Sequence, residues 1–430
     1  MSSEKFDVVI VGGGLAGLTA AVMLANEGKR VAVLEKGKNF GGRGSSKEVS
    51  GTFLNLGPHA LYKKGKAIRI LKELDIRVNG GTPNLNGKIY DQGSDFQLPS
   101  TFLSVLQTKY LNMKEKKEFL SLMLNIGKID HTLYFHQTLQ QWVESHIQSP
   151  RNQALFYAFC RLSTYTNAPE LVNAGAVLNQ LRISLGGAIY IHRGWKTIIG
   201  QLLEKVSRLD VALLANSTVI ELDLKKRSNT VTYKKGNEIK QLTSEWIIST
   251  TPPKEVNRFL KGAQNTQLGR IISNVTPVRA ACLDVVLNHL TNPQHDFALD
   301  MNQSLYYSNH SQSAKLSYHP EHQVIHVMKY LRTDETPPLE EILSSFLEKI
   351  QPKWKDHLVV NRFLPNLIVS HRIPTVGSID IMDCAQREFE GLLLAGEWVS
   401  NEMLLAEAAL ITAKKVADQI LTNKGSEEVE

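Results

Sequence analysis

Cysteine is scarce in this chain: Cys160, Cys282 and Cys384 are the only three among 430 residues, and they lie far apart. That number and spacing exclude a disulfide framework and match no metal-site pattern, so no metal is expected and the thiols read as buried groups in a reducing cytosol. A run of about 18 apolar residues is also missing, so no segment is expected to span a bilayer. Met1-Ser2-Ser3-Glu4-Lys5 passes straight into an apolar strand pattern and leaves no room for a signal peptide, which again points to a cytoplasmic protein. Aromatic residues make up only 7% and are not interleaved with basic ones. With no nucleic-acid motif in view, the net charge of +7 is a mild bias that suits an anionic membrane surface better than a nucleic acid, which is not expected as a partner. What remains is a 42% hydrophobic chain, long enough for two or three domains with sizeable cores.

The stretch from Phe6 to Glu35 organises the rest. Val8-Val9-Ile10-Val11 reads as a fully buried parallel strand. It runs into Gly12-Gly13-Gly14-Leu15-Ala16-Gly17, a G-x-G-x-x-G turn. In such a turn the first glycine, Gly12, allows the bend, the second, Gly14, lets backbone approach a pyrophosphate, and the third, Gly17, lets the following helix pack closely. That helix, with Leu18, Ala21, Val22 and Ala25 on one face, offers free N–H groups and the positive end of its dipole to the phosphates. A second buried strand, Val31 to Leu34, ends in Glu35, where an acid is needed to accept ribose hydroxyls. Strand, turn, helix, strand and acid in this order make an ordinary βαβ unit a poor alternative. The acid favours an unphosphorylated ribose, and thus FAD or NAD over NADP.

Lys36-Gly37-Lys38-Asn39-Phe40-Gly41-Gly42-Arg43 decides between them. A second glycine pair followed by arginine suits a loop that passes a pyrophosphate and adds a bidentate cation to it, which a nicotinamide dehydrogenase does not need. Here the chain resembles the FAD-dependent superfamily of amine oxidases, protoporphyrinogen oxidase and phytoene desaturases, whose signature is G-x-G-x-x-G, an acid, then G-G-R. The resemblance implies an α/β fold. It would be a Rossmann-type FAD-binding domain of the glutathione-reductase-like kind, a two-dinucleotide-binding-domain flavoprotein, with an inserted α+β substrate domain. It also implies that Gly41, Gly42 and Arg43, and later Leu56-Gly57-Pro58-His59, lie along the FAD. His59 would reach the flavin or substrate, although a histidine bonding its own loop backbone is the plainer reading.

Other segments extend the resemblance. From Gly186 to Pro253 the order is glycine-tryptophan, helix, strand, V-x-x-L, hairpin and an apolar strand ending in Thr251-Pro252-Pro253, and Val219 would offer backbone to the adenine. Tyr190 and His192 fall where the substrate cavity opens in relatives, and a loop with locally paired side chains explains them equally well. Near the end, Gly391 to Trp398 and the helix from Ala406 resemble the closing motif, L-x-G-D/E then E-G-A. There Gly396 lets backbone near the cofactor and Glu397 accepts ribityl or phosphate-side hydroxyls. Glu407 and Ala408 mark the helix start aimed at the flavin, with Ala408 in place of the usual glycine. These readings give a discontinuous FAD domain, 1–80, 186–253 and 386–423, a substrate domain, 81–185 and 254–385, and a polar tail, 424–430. Gly80 to Gly87 reads as a linker, Leu316 to Tyr318 as a strand, and Lys329, alone in an apolar strand, as structural. Lys109, Lys114, Lys116 and Lys117 beside Phe102, Leu103, Leu106 and Leu111 could lie on a membrane's inner face, or simply form a solvated helix face over a core.

The reaction is read from one local difference. Amine oxidases usually place an aromatic residue two positions before the glutamate of the closing motif, and here that position is Leu405, after Leu404. Leucines favour a small apolar substrate, since a cage for an amine wants π faces. The expectation is therefore a phytoene-desaturase-like oxidoreductase abstracting hydride from a C–C unit of an isoprenoid-like molecule. The alternatives are an amine or protoporphyrinogen oxidase using oxygen, an isomerase using reduced FAD, and a non-redox lipid- or prenyl-binding protein on the same fold. No acid–base pair, electron acceptor or oligomeric state is legible.

Overall fold

In this computed structural model, residues 4–84, 86–225 and 228–422 are described. The expected tail 424–430, Met1 to Ser3, and Leu85 within the linker lie outside them. The first sheet is built on the strand Glu4–Val11, whose Val8, Val9 and Ile10 are fully buried. Five strands run parallel in the order Ala212–Leu214, Val31–Leu34, Glu4–Val11, Glu238–Ser249, Leu392–Leu394. The strand Glu238–Ser249 serves twice. Its last residues pair with Leu392–Leu394, and its first half starts an antiparallel meander through Asn229–Lys235 and Ser217–Asp223. The helix Leu15–Asn26 is buried well beyond one face, because it is wedged against the helices Lys196–Arg208 and Leu405–Thr422. Its alanines at 16, 20, 21 and 25 let these helices approach.

A second sheet has the order Leu358–Ser370, Val278–Leu287, Gln323–Tyr330, Leu305–Asn309, Phe297–Asp300, Lys88–Asp91, Ser94–Gln97. Alternation along its strands splits it into two faces. Leu283, Val285, Tyr307, Ile325 and Val327 pack on the helix Glu340–Ile350. Ala280, Tyr306, Met328 and Tyr330 point the other way, toward Phe119, Leu155 and Ala158 of the helices Met113–Ile126 and Pro150–Thr164. The long leucine-rich region expected from Phe102 is broken into helices Phe102–Gln107, Met113–Ile126, Leu139–His146, Pro150–Thr164 and Ala174–Ser184. Thr101, Asn112, Thr138, Ser149 and Asn173 each cap the next of these through the side chain, which supplies the N–H groups of its first turn with an acceptor.

Two expectations change. Residues 254–275 were placed with the substrate domain. Instead Val256, Phe259, Leu268 and Ile272 of the helices Pro253–Phe259 and Gln267–Ser273 pack into the core of the first sheet, as do Ile381, Met382, Cys384 and Ala385. The crossing to the second sheet comes at Val278, where an apolar strand replaces amphipathic helices. Leu316 to Tyr318 is not a strand. Ser317 makes a single bridge to Thr52, and the Phe53 N–H donates to the Leu316 carbonyl.

Candidate cofactor and substrate site

A cavity of about 1050 Å³ runs from the glycine turn to the inner face of the second sheet. Gly12, at φ 108°, is a bend that side chains resist, and a Cβ there would also lie 2.6 Å from Thr250 Oγ1. At Gly17 a Cβ would lie 2.0 Å from the Gly12 carbonyl oxygen, so this glycine lets helix and turn touch. Gly14 is different. Its backbone is ordinary extended conformation and a Cβ would meet nothing within 4 Å, so the space it leaves open belongs to the cavity. The helix Leu15–Asn26 has no side-chain cap, leaving its first N–H groups free beside Gly14, Leu15 and Ala16, all in the cavity wall.

The two glycine motifs are joined. The Gly41 N–H donates to the Gly13 carbonyl at 2.7 Å, and Gly14 bridges Gly41. Gly42 and Arg43 line the cavity while Gly41, at φ 120°, shapes the loop behind them. Glu35 lines it too, with Oε2 accepting from the Gly13 N–H at 2.9 Å and Oε1 from the Gly37 N–H at 2.8 Å. At the same end Lys36 pairs with Glu255 at 3.6 Å. Glu255 also holds Arg258, which donates to the Val219 carbonyl at 2.9 Å.

Arg43 and Glu397 form an ion pair, and His371 donates to Glu397 Oε1 through its backbone N–H at 3.1 Å and lies 2.8 Å from it through Nδ1. Burial would raise the Glu397 carboxyl, but Arg43 and His371 outweigh it and hold the group down at about 2. His371 had no sequence signal, because it follows a long strand that was itself not expected. Gly396, at φ 128°, and Trp398 complete this wall.

The structure leaves Glu407 and Ala408 out of the cavity wall. Glu407 Oε2 accepts from the Ala67 N–H at 2.9 Å and caps the helix Lys66–Glu73, where burial raises its carboxyl above the usual range. Ala408 is buried with Ile183 and Met403. The residues of that helix in the cavity wall are Leu405, Ala406 and Ala409, because one residue of helix turns a side chain by about 100°. His192 is also outside that wall: its Nδ1 accepts from the Lys315 N–H at 3.1 Å. His59 does line it beside Pro58. Its ring nitrogens sit 3.0 Å from the Gly57 carbonyl and 3.2 Å from the Arg43 carbonyl, the local bonding that was the plainer reading. Gly57, at φ 78°, turns the backbone that places them. Burial, against the pull of those carbonyls, lowers the His59 imidazole.

Tyr190 lines the far half, stacked on His310 with ring centroids 3.7 Å apart. Around it stand Tyr62, Phe156, Tyr165, Tyr306 and Tyr330, which the sequence did not single out. Lys329 stays outside, bonded to the Gln303 carbonyl and Glu335.

This architecture has known relatives, and a model of the flavin-containing amine oxidoreductase family matches residues 15–421. The chain belongs to that family. Membership in a flavin-containing family implies FAD as the cofactor. An L-amino acid oxidase of Bothrops pictus is 45% identical over 81 residues, covering 18% of this chain and 16% of that protein. An L-amino-acid oxidase of Crotalus adamanteus is 25% identical over 289 residues, covering 60% and 53%. The chain thus spans about half or less of the length of these relatives. A crystal structure of an oxidoreductase from Methanosarcina mazei, 16% identical, superposes with a TM-score of 0.77 over 96% of this chain and all of that one, a likeness of fold. For a flavin-containing amine oxidoreductase the cradle at Gly14, open where a Cβ would stand and flanked by free helix N–H groups, is a fitting place for a pyrophosphate.

Proposed function

We propose that this flavoprotein oxidises a small, apolar, isoprenoid-like molecule by hydride abstraction from a C–C unit. One observation carries the reading. Every Asp, Glu, Lys and Arg in the cavity wall, among the described residues, sits at the cofactor end: Glu35, Lys36, Arg43, Glu255, Arg258 and Glu397. Elsewhere the wall is mainly Tyr, Phe, Leu, Met and Pro side chains, with His310 and uncharged hydroxyl and amide groups such as Ser163, Ser184 and Asn366. A substrate with a fixed charge would lose its hydration there and find no partner, at a cost of several kcal/mol.

In this reading Gly12, Gly14, Leu15, Ala16, Gly42 and Arg43 hold the pyrophosphate, and Glu35 and Lys36 the ribose edge. Val219 lies at the adenine, and Pro58, His59, Gly396 and Glu397 along the flavin. Bound FAD supplies a two-electron acceptor for hydride. The chain orients the substrate against it, excludes water with its aromatic wall, and offers the start of the helix Leu405–Thr422 to the flavin through Leu405, Ala406 and Ala409.

The second reading, an amine oxidase using oxygen, is favoured by the same aromatic rings, whose π faces can attract an amine. An amino acid fits less well, because the far half has no cation for its carboxylate.

Anaerobic titration of the flavin-loaded protein separates the two. Bleaching of the flavin absorbance by an isoprenoid hydrocarbon and not by amines is the expected result. Bleaching by amines, with peroxide on readmitting air, would replace the first reading by the second.

A further inference from the structure

The second sheet carries a polar row on the face that looks into the cavity. Four adjacent strands contribute one residue each, in register: Arg362 opposite Asp284, Asp284 opposite His326, His326 opposite Ser308. Tyr306 and His310 flank Ser308 at two-residue spacing along the same strand and its end, and both line the cavity. The contacts follow the register. Arg362 Nε donates to Asp284 Oδ2 at 2.9 Å, and the same guanidinium donates to the Asn55 carbonyl in the segment leading to His59. Asp284 Oδ1 lies 2.5 Å from His326 Nδ1. The His326 ring meets the His310 ring edge to face at 4.3 Å. His310 Nε2 lies 3.2 Å from the Tyr306 hydroxyl, which is 3.3 Å from the Tyr190 hydroxyl.

We propose that His310 is the base that takes up the proton leaving the substrate after hydride transfer, and that His326 and Asp284 position it and steady the charge it acquires. This rests on the hydride-abstraction reading above. An H–C–C–H unit that gives hydride to the flavin keeps a cationic carbon. The neighbouring C–H bond then breaks, its electron pair becomes the second bond of the C=C, and its proton goes to the imidazole. The substrate is oxidised by two electrons, the flavin is reduced by two, and imidazole becomes imidazolium.

The surroundings suit that step. Burial first, then His326 and His59, push His310 well below the ordinary histidine range, so it waits neutral with a lone pair to offer. A weak base suffices, because a C–H bond beside a carbocation is strongly acidic. The rings of Tyr190 and Tyr306 can stabilise the cation through their π faces until the proton leaves. Behind His310, burial would raise Asp284, but His326 and Arg362 hold it below its usual range, and it stays ionised. His326 faces that carboxylate through Nδ1 and turns Nε2 into the interior, buried and without a hydrogen-bond partner among the described residues. Cys282, the remaining titratable neighbour, donates its thiol to Asp284 at 3.1 Å. Its Sγ and the Asp284 and His326 ligand atoms lie within 4.8 Å of one another, but a metal ion there would have to break the His326 Nδ1–Asp284 Oδ1 contact and sit beside the Arg362 cation.

The test uses the flavin-loaded full chain with histidine labelled in ¹⁵N, and 4-fluorophenol, an apolar proton donor that is not oxidised. In the wild type His310 should be neutral at pH 7. Bound fluorophenol should stay neutral and show the ¹⁹F shift of a phenol donating a hydrogen bond to an imidazole, which His310→Gln changes at unchanged flavin occupancy. Asp284→Asn and His326→Gln should reduce that shift, and Tyr306→Phe, which removes only the hydroxyl 3.2 Å from His310 Nε2, should change it as well. Formation of the C=C product from a competent substrate should slow on the order of a hundredfold in His310→Gln. An unchanged ¹⁹F shift in His310→Gln, or a cationic His310 at pH 7, overturns the proposal. Failure of isoprenoids to bleach the flavin with the phenol response intact would strike the substrate reading instead.

Discussion

Gly14 and Gly17 stand three residues apart and are needed for different reasons. Gly17 is required by the protein itself, since its missing Cβ is where the Gly12 carbonyl sits. Gly14 is required by what the protein holds, since nothing of the chain fills that place. The two should therefore separate experimentally. Gly14→Val should fold with a near-normal urea midpoint yet lose FAD on gel filtration, and a fully yellow Gly14→Val would overturn the placement of the pyrophosphate. Gly17→Ala should lose about 1–3 kcal/mol of stability with or without flavin, read from the same urea curves.

At the scale of elements, the Arg43–Glu397–His371 group ties the glycine loop to the closing motif and to the end of the strand Leu358–Ser370. Arg43 also donates to the Val369 carbonyl at 2.8 Å, so three distant segments meet on one guanidinium. Glu397 falls from an ordinary 4.5 to about 2 in the folded protein, so the unfolded chain binds the more protons at acid pH. Its contribution, roughly 3 kcal/mol, is fully present above about pH 4.5 and lost as pH falls toward 2. Glu397→Gln should be less stable than wild type at pH 6, and the gap in urea midpoint should narrow by about half or more at pH 3 and close only as pH falls below about 2. A gap that stays constant with pH would show that the pair is not what lowers this carboxyl. The strand carrying this group was not legible in advance. Leu358–Ser370 holds Pro365 and a half-exposed, irregular pattern, as an edge strand can, with three register shifts against its neighbour. The same strand supplies Arg362 and much of the cavity wall, so its loss from view also hid His371.

For the molecule as a whole, the cavity wall reaches Pro99 and Ser100, directly before the helix Phe102–Gln107. Phe102, Leu103 and Met113 are more than 60% exposed, and Lys109, Lys114 and Lys117 are exposed beside them. No helix among the described residues is long and apolar enough to cross a membrane. We propose that this patch rests on an anionic bilayer, where an apolar substrate would be dissolved. The protein should float with vesicles containing anionic phospholipid, and less so at high salt. Phe102→Ser with Leu103→Ser should release it at unchanged flavin content. Wild-type protein that stays in the aqueous fraction at low salt would leave the patch a solvated helix face.

The sequence by itself determined the cofactor end. A dinucleotide turn is local, so Val8 to Glu35 and Gly41 to Arg43 carry their geometry in consecutive residues. The substrate end was decided only by tertiary structure. Leu405 was read as a sign of an apolar site from one position, and the wall around it comes from Tyr62, Tyr165, Tyr190, Tyr306 and Tyr330 on five separate elements. Glu407 and His192, singled out by motif and place, are turned aside by helix phase and a backbone partner. The Arg362–Asp284–His326 row exists only because four strands far apart in the chain fall into register, and register is a property of the packed sheet rather than of any one strand.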